Sequence, residues 1–361
     1  MKTENLPGGN TSCRRWVTKR AVAILESKTS LEEKKYDMKI KGTFLDEISH
    51  DIPHQNWGRA EWDKDFWWMK QAGIDTVILI RSGYKKWQTF PSKVLTQAEQ
   101  AYTPPVDLVQ MFLELSEKHG MAFYFGLYDS GKYWVAGKYR EEVELNKRLI
   151  DEVWATYGHL PAFKGWYLSQ ECSRKTGQII DLYAGLGRHC KEVSGGLPTL
   201  ISPYIDGVKN ISQYDASTAR QNGVSLKQHE EDWSEIFEGI SKAVDIVAFQ
   251  DGHVGYDELT DFLKINKSLA DKFGLECWTN SETFDRDMPI KFLPIKWEKL
   301  WLKLQMAERA GIENAITFEF SHFMSPQSAY LQAGHLYNRY MEYLQDQKVK
   351  NNGLYQAGIT I

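Results

Sequence analysis

From Lys39 onward one pattern governs the chain: short apolar stretches rich in β-branched and aromatic residues alternate with longer amphipathic ones. Strands are predicted at Ile40–Ile48, Thr76–Arg81, Ala122–Tyr128, Gly165–Leu168, Thr199–Pro203, Ile246–Gln250, Glu276–Asn280 and Ala315–Glu319. Helices are predicted at Arg59–Ala72, Pro105–His119, Glu141–Tyr157, Thr176–Val193, Leu226–Ala243, Asp257–Phe273, Pro294–Ala310 and Ala329–Gln347. Gly73, Gly120, Gly274 and Gly311 each fall just past an amphipathic run and just before a strand, where a residue without a β-carbon ends a helix at least cost. Eight such pairs in one α/β chain match a single (β/α)8 TIM barrel better than two smaller open sheets. No Pro/Ser/Gly-rich linker divides the chain. The expected organisation is a poorly ordered leader over residues 1 to 37, a barrel domain over residues 38 to 347 and a tail over residues 348 to 361.

Composition narrows the partners. A formal net charge of -4, with basic residues scattered rather than striped, gives no case for nucleic acid. No apolar run is long enough for a membrane span. The apolar stretch Ala21–Leu25 after Arg14, Arg15, Lys19 and Arg20 is too short for a secretory signal, so the compartment stays open: periplasmic or extracellular if an export signal is truncated or misassigned, otherwise cytoplasmic. Cys13, Cys172, Cys190 and Cys277 show neither CxxC spacing nor a metal-ligand pattern. Aromatic residues make up 13% of the chain, more than a core of this size requires, and a cleft lined by ring faces is one use for the surplus.

In such a barrel the loops after the strands share one pocket, so the residue on which each strand ends is informative. The strands end on Asp46 and Glu47, Arg81, Asp129, Gln170 and Glu171, Gln250 and Asp251, Asn280 and Glu282, and Glu319 with His322 beyond. Two carboxyl groups across a pocket are what cleavage of a glycosidic bond needs: one protonates the departing oxygen, and the other attacks the sugar carbon or activates water. The fourth and seventh strands face each other across an eight-stranded barrel, which makes Glu171 and Glu282 the natural pair. Trp166 and Trp278 each stand within five positions of one of them. Trp57, Trp87 and Trp134 lie in polar loops and are candidates for stacking on sugar, whereas Trp62 stands with nearby apolar positions at helical spacing, so that most of the run Trp57, Trp62, Trp67 and Trp68 suits helix-to-barrel packing.

The segments Gly42–Glu47, Trp166–Glu171, Phe249–Gly252 and Asn280–Phe284 resemble a bacterial TIM-barrel family of the DUF4434 type, itself similar to the glycosidase-superfamily barrels. That resemblance runs from about Lys39 to the end of the barrel. It implies an acid/base glutamate at strand four, Glu171, and a nucleophilic glutamate at strand seven, Glu282. In those glycosidases an Asn usually precedes the acid/base and contacts the sugar 2-hydroxyl; here Gln170 stands there, one methylene longer.

The expected function is therefore a retaining glycoside hydrolase acting on an oligosaccharide or polysaccharide, with no cofactor. Asp46, Glu47, Trp57, Arg81, Trp87, Asp129, Trp134, Gln170, Gln250, Asp251, Asn280, Glu319 and His322 are expected to contact substrate. The alternative is a barrel that binds carbohydrate without cleaving it. A metal site at Asp46, Glu47, His50, Asp51 and His54 is disfavoured, because HExxH spacing is missing and Pro53 breaks any helix that would align the histidines. Gly185-Leu186-Gly187 lies inside a helical stretch and lacks the third glycine of a dinucleotide fingerprint.

Overall fold

The computed structural model describes residues 37–49, 52–208, 223–286 and 292–356. The leader expected over residues 1 to 37 lies outside these save for its last residue, as do His50, Asp51 and most of the polar stretch Asn210–Ser225 expected to wall the cleft.

The barrel strands are β1 (Ile40–Leu45), β2 (Thr76–Leu79), β3 (Ala122–Gly126), β4 (Phe163–Tyr167), β5 (Thr199–Ile201), β6 (Ile246–Gln250), β7 (Glu276–Asn280) and β8 (Asn314–Thr317). Each pairs in parallel with the next, and β8 closes on β1. The surrounding helices are α1 (Arg59–Gln71), α2 (Leu108–His119), α3 (Tyr139–Tyr157), α4 (Ile179–Ser194), α5 (Leu226–Ile240), α6 (Leu259–Phe273), α7 (Trp297–Arg309) and α8 (Leu331–Gln356). This is the (β/α)8 barrel that the alternation predicts. Among the described residues no helix is long and apolar enough to cross a membrane.

The period of two along each strand divides the apolar residues between two cores. Phe44, Ile78, Tyr124, Tyr167, Leu200, Ala248 and Ile316 fill the barrel interior, where the Tyr167 ring meets Phe44 edge-on with centroids 5.0 Å apart. Their neighbours Val77, Leu79, Phe123, Phe125, Trp166, Val247 and Phe249 point outward and pack under the helices. Gly73, Gly120, Gly274 and Gly311 all have positive φ, as expected of helix-ending glycines.

Gly126, on β3, serves a different purpose. A β-carbon there would lie 1.9 Å from the Leu79 carbonyl oxygen on the adjacent strand, and neither backbone can yield. Gly126→Ala is therefore expected to lower stability by about 1–3 kcal/mol or more, read as a reduced urea midpoint; an unchanged midpoint would contradict this packing.

Most boundaries shift from the sequence reading, and three of the shifts are instructive. β1 stops at Leu45 rather than Ile48, because the Asp46 side chain accepts hydrogen bonds from the backbone N–H groups of Ile48 (3.0 Å) and Ser49 (2.9 Å) and turns the chain. α2 begins at Leu108 rather than Pro105, with Asp107 as its N-cap accepting from Gln110 N. α8 continues to Gln356, past the expected end at Gln347. The structure also adds small elements: a three-stranded sheet from Gly83–Tyr84, Trp87–Gln88 and Tyr128–Asp129, a hairpin pairing Phe284–Asp285 with Leu293–Pro294, and the helices Lys93–Glu99 and Phe320–Phe323.

Candidate active site

Gln250 and Asn280 pair in register at the carboxyl ends of β6 and β7, so their side chains reach the same level of the barrel mouth. Beyond Asn280 the chain keeps a strand-like path, with Ser281 N donating to Ile316 O and Thr283 N to Phe318 O. The period of two then turns Asn280, Glu282 and Phe284 to one side, and all three line a cavity of about 240 Å³. The opposite wall comes from Ile80 and Arg81 after β2 and from Glu171 after β4.

Glu171 sits on this wall with its side chain 35% exposed. Its carboxylate accepts from Arg81 Nη2 at 3.1 Å and from Gln250 Nε2 at 2.9 Å. Its expected surface partners, Arg174 and Lys175, pair instead with Asp232 and Asp206. Burial raises the Glu171 pKa above the ordinary carboxylate value, and the nearby negative charges of Asp129 and Asp46 add to this against the pull of Arg81. Tyr167 carries a buried hydroxyl with no hydrogen-bond partner among the described residues.

Glu282 occupies a different environment. Arg286 grips it with both arms of its guanidinium, Nε to Oε2 at 2.7 Å and Nη2 to Oε1 at 2.7 Å. Burial works against the charge on Glu282, but Arg286 and then Lys303 override it and hold the pKa below the ordinary value. Behind it, buried Asp251 accepts from Glu282 N at 3.1 Å and from Lys303 Nζ at 2.7 Å, and Lys303 also donates to the Glu282 carbonyl.

Gly252 makes this arrangement sterically possible. It lacks a positive φ, and its role is close approach: a β-carbon there would lie 1.7 Å from Glu282 Oε2 and 2.5 Å from Arg286 Nε. Gly252→Ala is expected to displace the carboxylate and break the Arg286 pair, read as a lowered urea midpoint. An unchanged midpoint in that variant would contradict this close approach.

The cavity thus brings together Arg81, Glu171, Gln250, Asn280 and Glu282 from the residues expected at the site. The structure places the others elsewhere. Gln170 is buried, and its amide donates to Tyr128 O (2.9 Å) and Glu142 Oε1 (3.0 Å), so it braces the wall between β3 and β4. Asp129 lies beside Arg81 at 4.0 Å and accepts from Trp134 Nε1 at 2.8 Å. Trp57 packs edge-on against Trp62, and Trp87 is 62% exposed on the small sheet. Trp166 is buried and donates to Ser194 Oγ, while Trp278 donates to Glu276 Oε2. The rings that do line the cavity are Phe284, Phe292 and Phe318, none of them singled out from sequence.

Glu319 and His322 form a fully buried unit beside the first loop. Glu319 caps the helix Phe320–Phe323 by accepting from Ser321 N and His322 N at 2.7 Å, and it pairs with His322 Nδ1, whose other ring nitrogen contacts Pro53 O at 2.8 Å. Asp46 serves its own turn, and Glu47 lies nearby with Oε2 3.9 Å from His54 Nδ1.

This unit predicts a pH response. Burial, reinforced by Asp46 and Glu319, pushes Glu47 up to about 7. Burial opposes the charge on His322, yet the Glu319 carboxylate raises it to about 9. The folded state therefore keeps protons that the unfolded chain loses, first between about pH 4.5 and 7 and then between about 6.5 and 9, so stability declines as pH rises through both windows. At about 1.4 kcal/mol per pH unit of each window, this pair contributes a loss of about 5 kcal/mol from pH 5 to 9. Urea unfolding at pH 5, 7 and 9 reads it, and Glu47→Gln should lessen the fall below pH 7, to which buried Asp65 and Glu142, likewise pushed up to about 7, also contribute, while sparing the fall above it.

The closed parallel barrel with a polar cavity at its carboxyl end is a (β/α)8 TIM barrel. A structure described as a glycoside hydrolase shares this fold at TM-score 0.53 and 12% identity, over 90% of this chain and 72% of its own. The chain itself belongs to the family described as Domain of unknown function (DUF4434), whose model matches residues 40–330. A crystal structure from Bacteroides thetaiotaomicron VPI-5482, provisionally described as an alpha-L-fucosidase, is 60% identical and matches 86% of this chain and 95% of its own at TM-score 0.82. No curated protein matches significantly.

Proposed function

We propose that the protein is a glycoside hydrolase in which Glu171 is the general acid/base and Glu282 the nucleophile of a retaining reaction. One observation carries this reading: two glutamates from opposite sides of the barrel line a single cavity, each on its own guanidinium and in contrasting surroundings. Glu171 is held toward its protonated form, ready to protonate the departing oxygen, and Glu282 is held ionised, ready to attack the anomeric carbon. Gln250 fixes the orientation of the acid, and the Asn280 side chain, whose Oδ1 is buried without a partner among the described residues, faces the same space for a sugar hydroxyl.

The test is a panel of aryl glycosides headed by α-L-fucosides, the substrate class that the 60% identical relative suggests. Proton NMR of the first product anomer then reads retention. A specific observation favours a second reading, a barrel that binds sugar without cleaving it: Arg286 occupies both oxygens of Glu282. A saccharide that binds and is recovered intact, with every aryl glycoside also untouched, would establish that second reading in place of the first.

A further inference from the structure

A second cavity, of about 430 Å³, opens beside the small sheet Gly83–Tyr84, Trp87–Gln88 and Tyr128–Asp129. Lys85, Lys86 and Lys132 line it against one acid, Glu99. Glu99 is already engaged, accepting from Lys132 Nζ at 2.5 Å and from the Tyr133 hydroxyl at 2.9 Å. Lys85 and Lys86 are exposed, and among the described residues neither forms a salt bridge. Next to Lys86, Trp87 (62% exposed) and Tyr102 (53% exposed) place their rings 5.1 Å apart, and Tyr102 N donates to Lys86 O, which fixes this aromatic shelf to the lysine edge.

Tyr84 links this groove to the first cavity. The Arg81 guanidinium lies over its ring at 5.4 Å and Lys85 Nζ at 4.8 Å. Unpaired ammonium groups beside exposed ring faces recognise a ligand that is anionic and also offers flat apolar faces, as an acidic sugar does.

We propose that this groove is an outer subsite for an anionic saccharide, its carboxylate or sulfate on Lys85 and Lys86 and its ring on Trp87 and Tyr102. The inference rests on the glycosidase reading for its choice of ligand and extends it to the substrate class.

The experiment measures binding of a uronate trisaccharide, a sulfated trisaccharide and a neutral trisaccharide by calorimetry, on full-length Glu171→Gln protein so that nothing is consumed. At least one acidic trisaccharide is expected to bind tenfold or more tighter than the neutral one, and which of them does so identifies the anion. Lys85→Gln with Lys86→Gln should erase that advantage and its salt dependence, and Trp87→Ala should weaken binding about tenfold. Lys227→Gln, on the exposed start of α5, should change nothing. Equal affinity for acidic and neutral sugars, insensitivity to the lysine pair, or tighter binding of a single-stranded oligonucleotide than of any saccharide would each overturn the proposal. Hydrolysis is scored separately on unaltered protein. Lysine-dependent acidic binding without any hydrolysis would defeat the glycosidase reading and leave the subsite standing.

Discussion

On the proposed assignment, Glu282→Gln is expected to reduce glycoside turnover by about a thousandfold or more, because Glu171 serves as the acid and no second carboxylate of the pair remains to bond the anomeric carbon. Glu171→Gln is expected to behave differently. With an alkyl glycoside, whose departing alkoxide needs a proton, the loss should be about 10²- to 10⁴-fold. With a dinitrophenyl glycoside, whose leaving group departs unprotonated, the first step should survive and the second should stall, seen as a burst of phenolate followed by a slow phase. Added azide should relieve the slow phase only in the Glu171 variant. If both variants keep full activity, or if both respond alike to leaving group and azide, the assignment of roles is wrong. The second prediction concerns what lies behind this pair.

Lys303→Met is expected to destabilise the fold by about 3–5 kcal/mol, the usual consequence of stranding one member of a buried ion pair. Lys303 is 4% exposed, and its ammonium bonds both Asp251 and the Glu282 carbonyl. Burial already raises Asp251, and Lys303 is the chief force opposing that rise. Without the lysine, Asp251 must take up a proton on folding, so the loss should be smaller at pH 5 than at pH 8. Asp251→Asn added to Lys303→Met should recover part of it, because the amide needs no counter-charge. Urea unfolding of the single and double variants at both pH values is the measurement. A loss below about 1 kcal/mol would show that Asp251 is held by something other than Lys303.

The architecture was legible because its signal is repeated: each strand is a short run rich in β-branched or aromatic residues, and several helices are closed by a glycine such as Gly120 or Gly274. That Glu171 and Glu282 would share one cavity was legible from strand order together with the family resemblance, since an eight-stranded ring sets strands four and seven apart and facing. What escaped was everything decided by which way a side chain turns after its strand ends. Gln170 directly precedes Glu171 but points to the opposite side, where Tyr128 O and Glu142 take its amide. Arg286 reads in sequence as one charge in a polar run, and only the hairpin Phe284–Asp285 with Leu293–Pro294 brings it back over Glu282. Trp residues drew attention as sugar platforms, yet most serve packing, as Trp62 and Trp166 do, while Phe284, Phe292 and Phe318 reach the cavity. Spacing rules see period but not these turns, because loops of this length carry no period.

The two guanidiniums come from separate loops, Arg81 after β2 and Arg286 after β7, and each grips a different glutamate. On the proposed assignment, the alkaline limb of a bell-shaped rate profile belongs to one loop and the acidic limb to the other. Selection could then move the working pH of this protein in either direction by altering one loop, without touching the residues that contact the sugar.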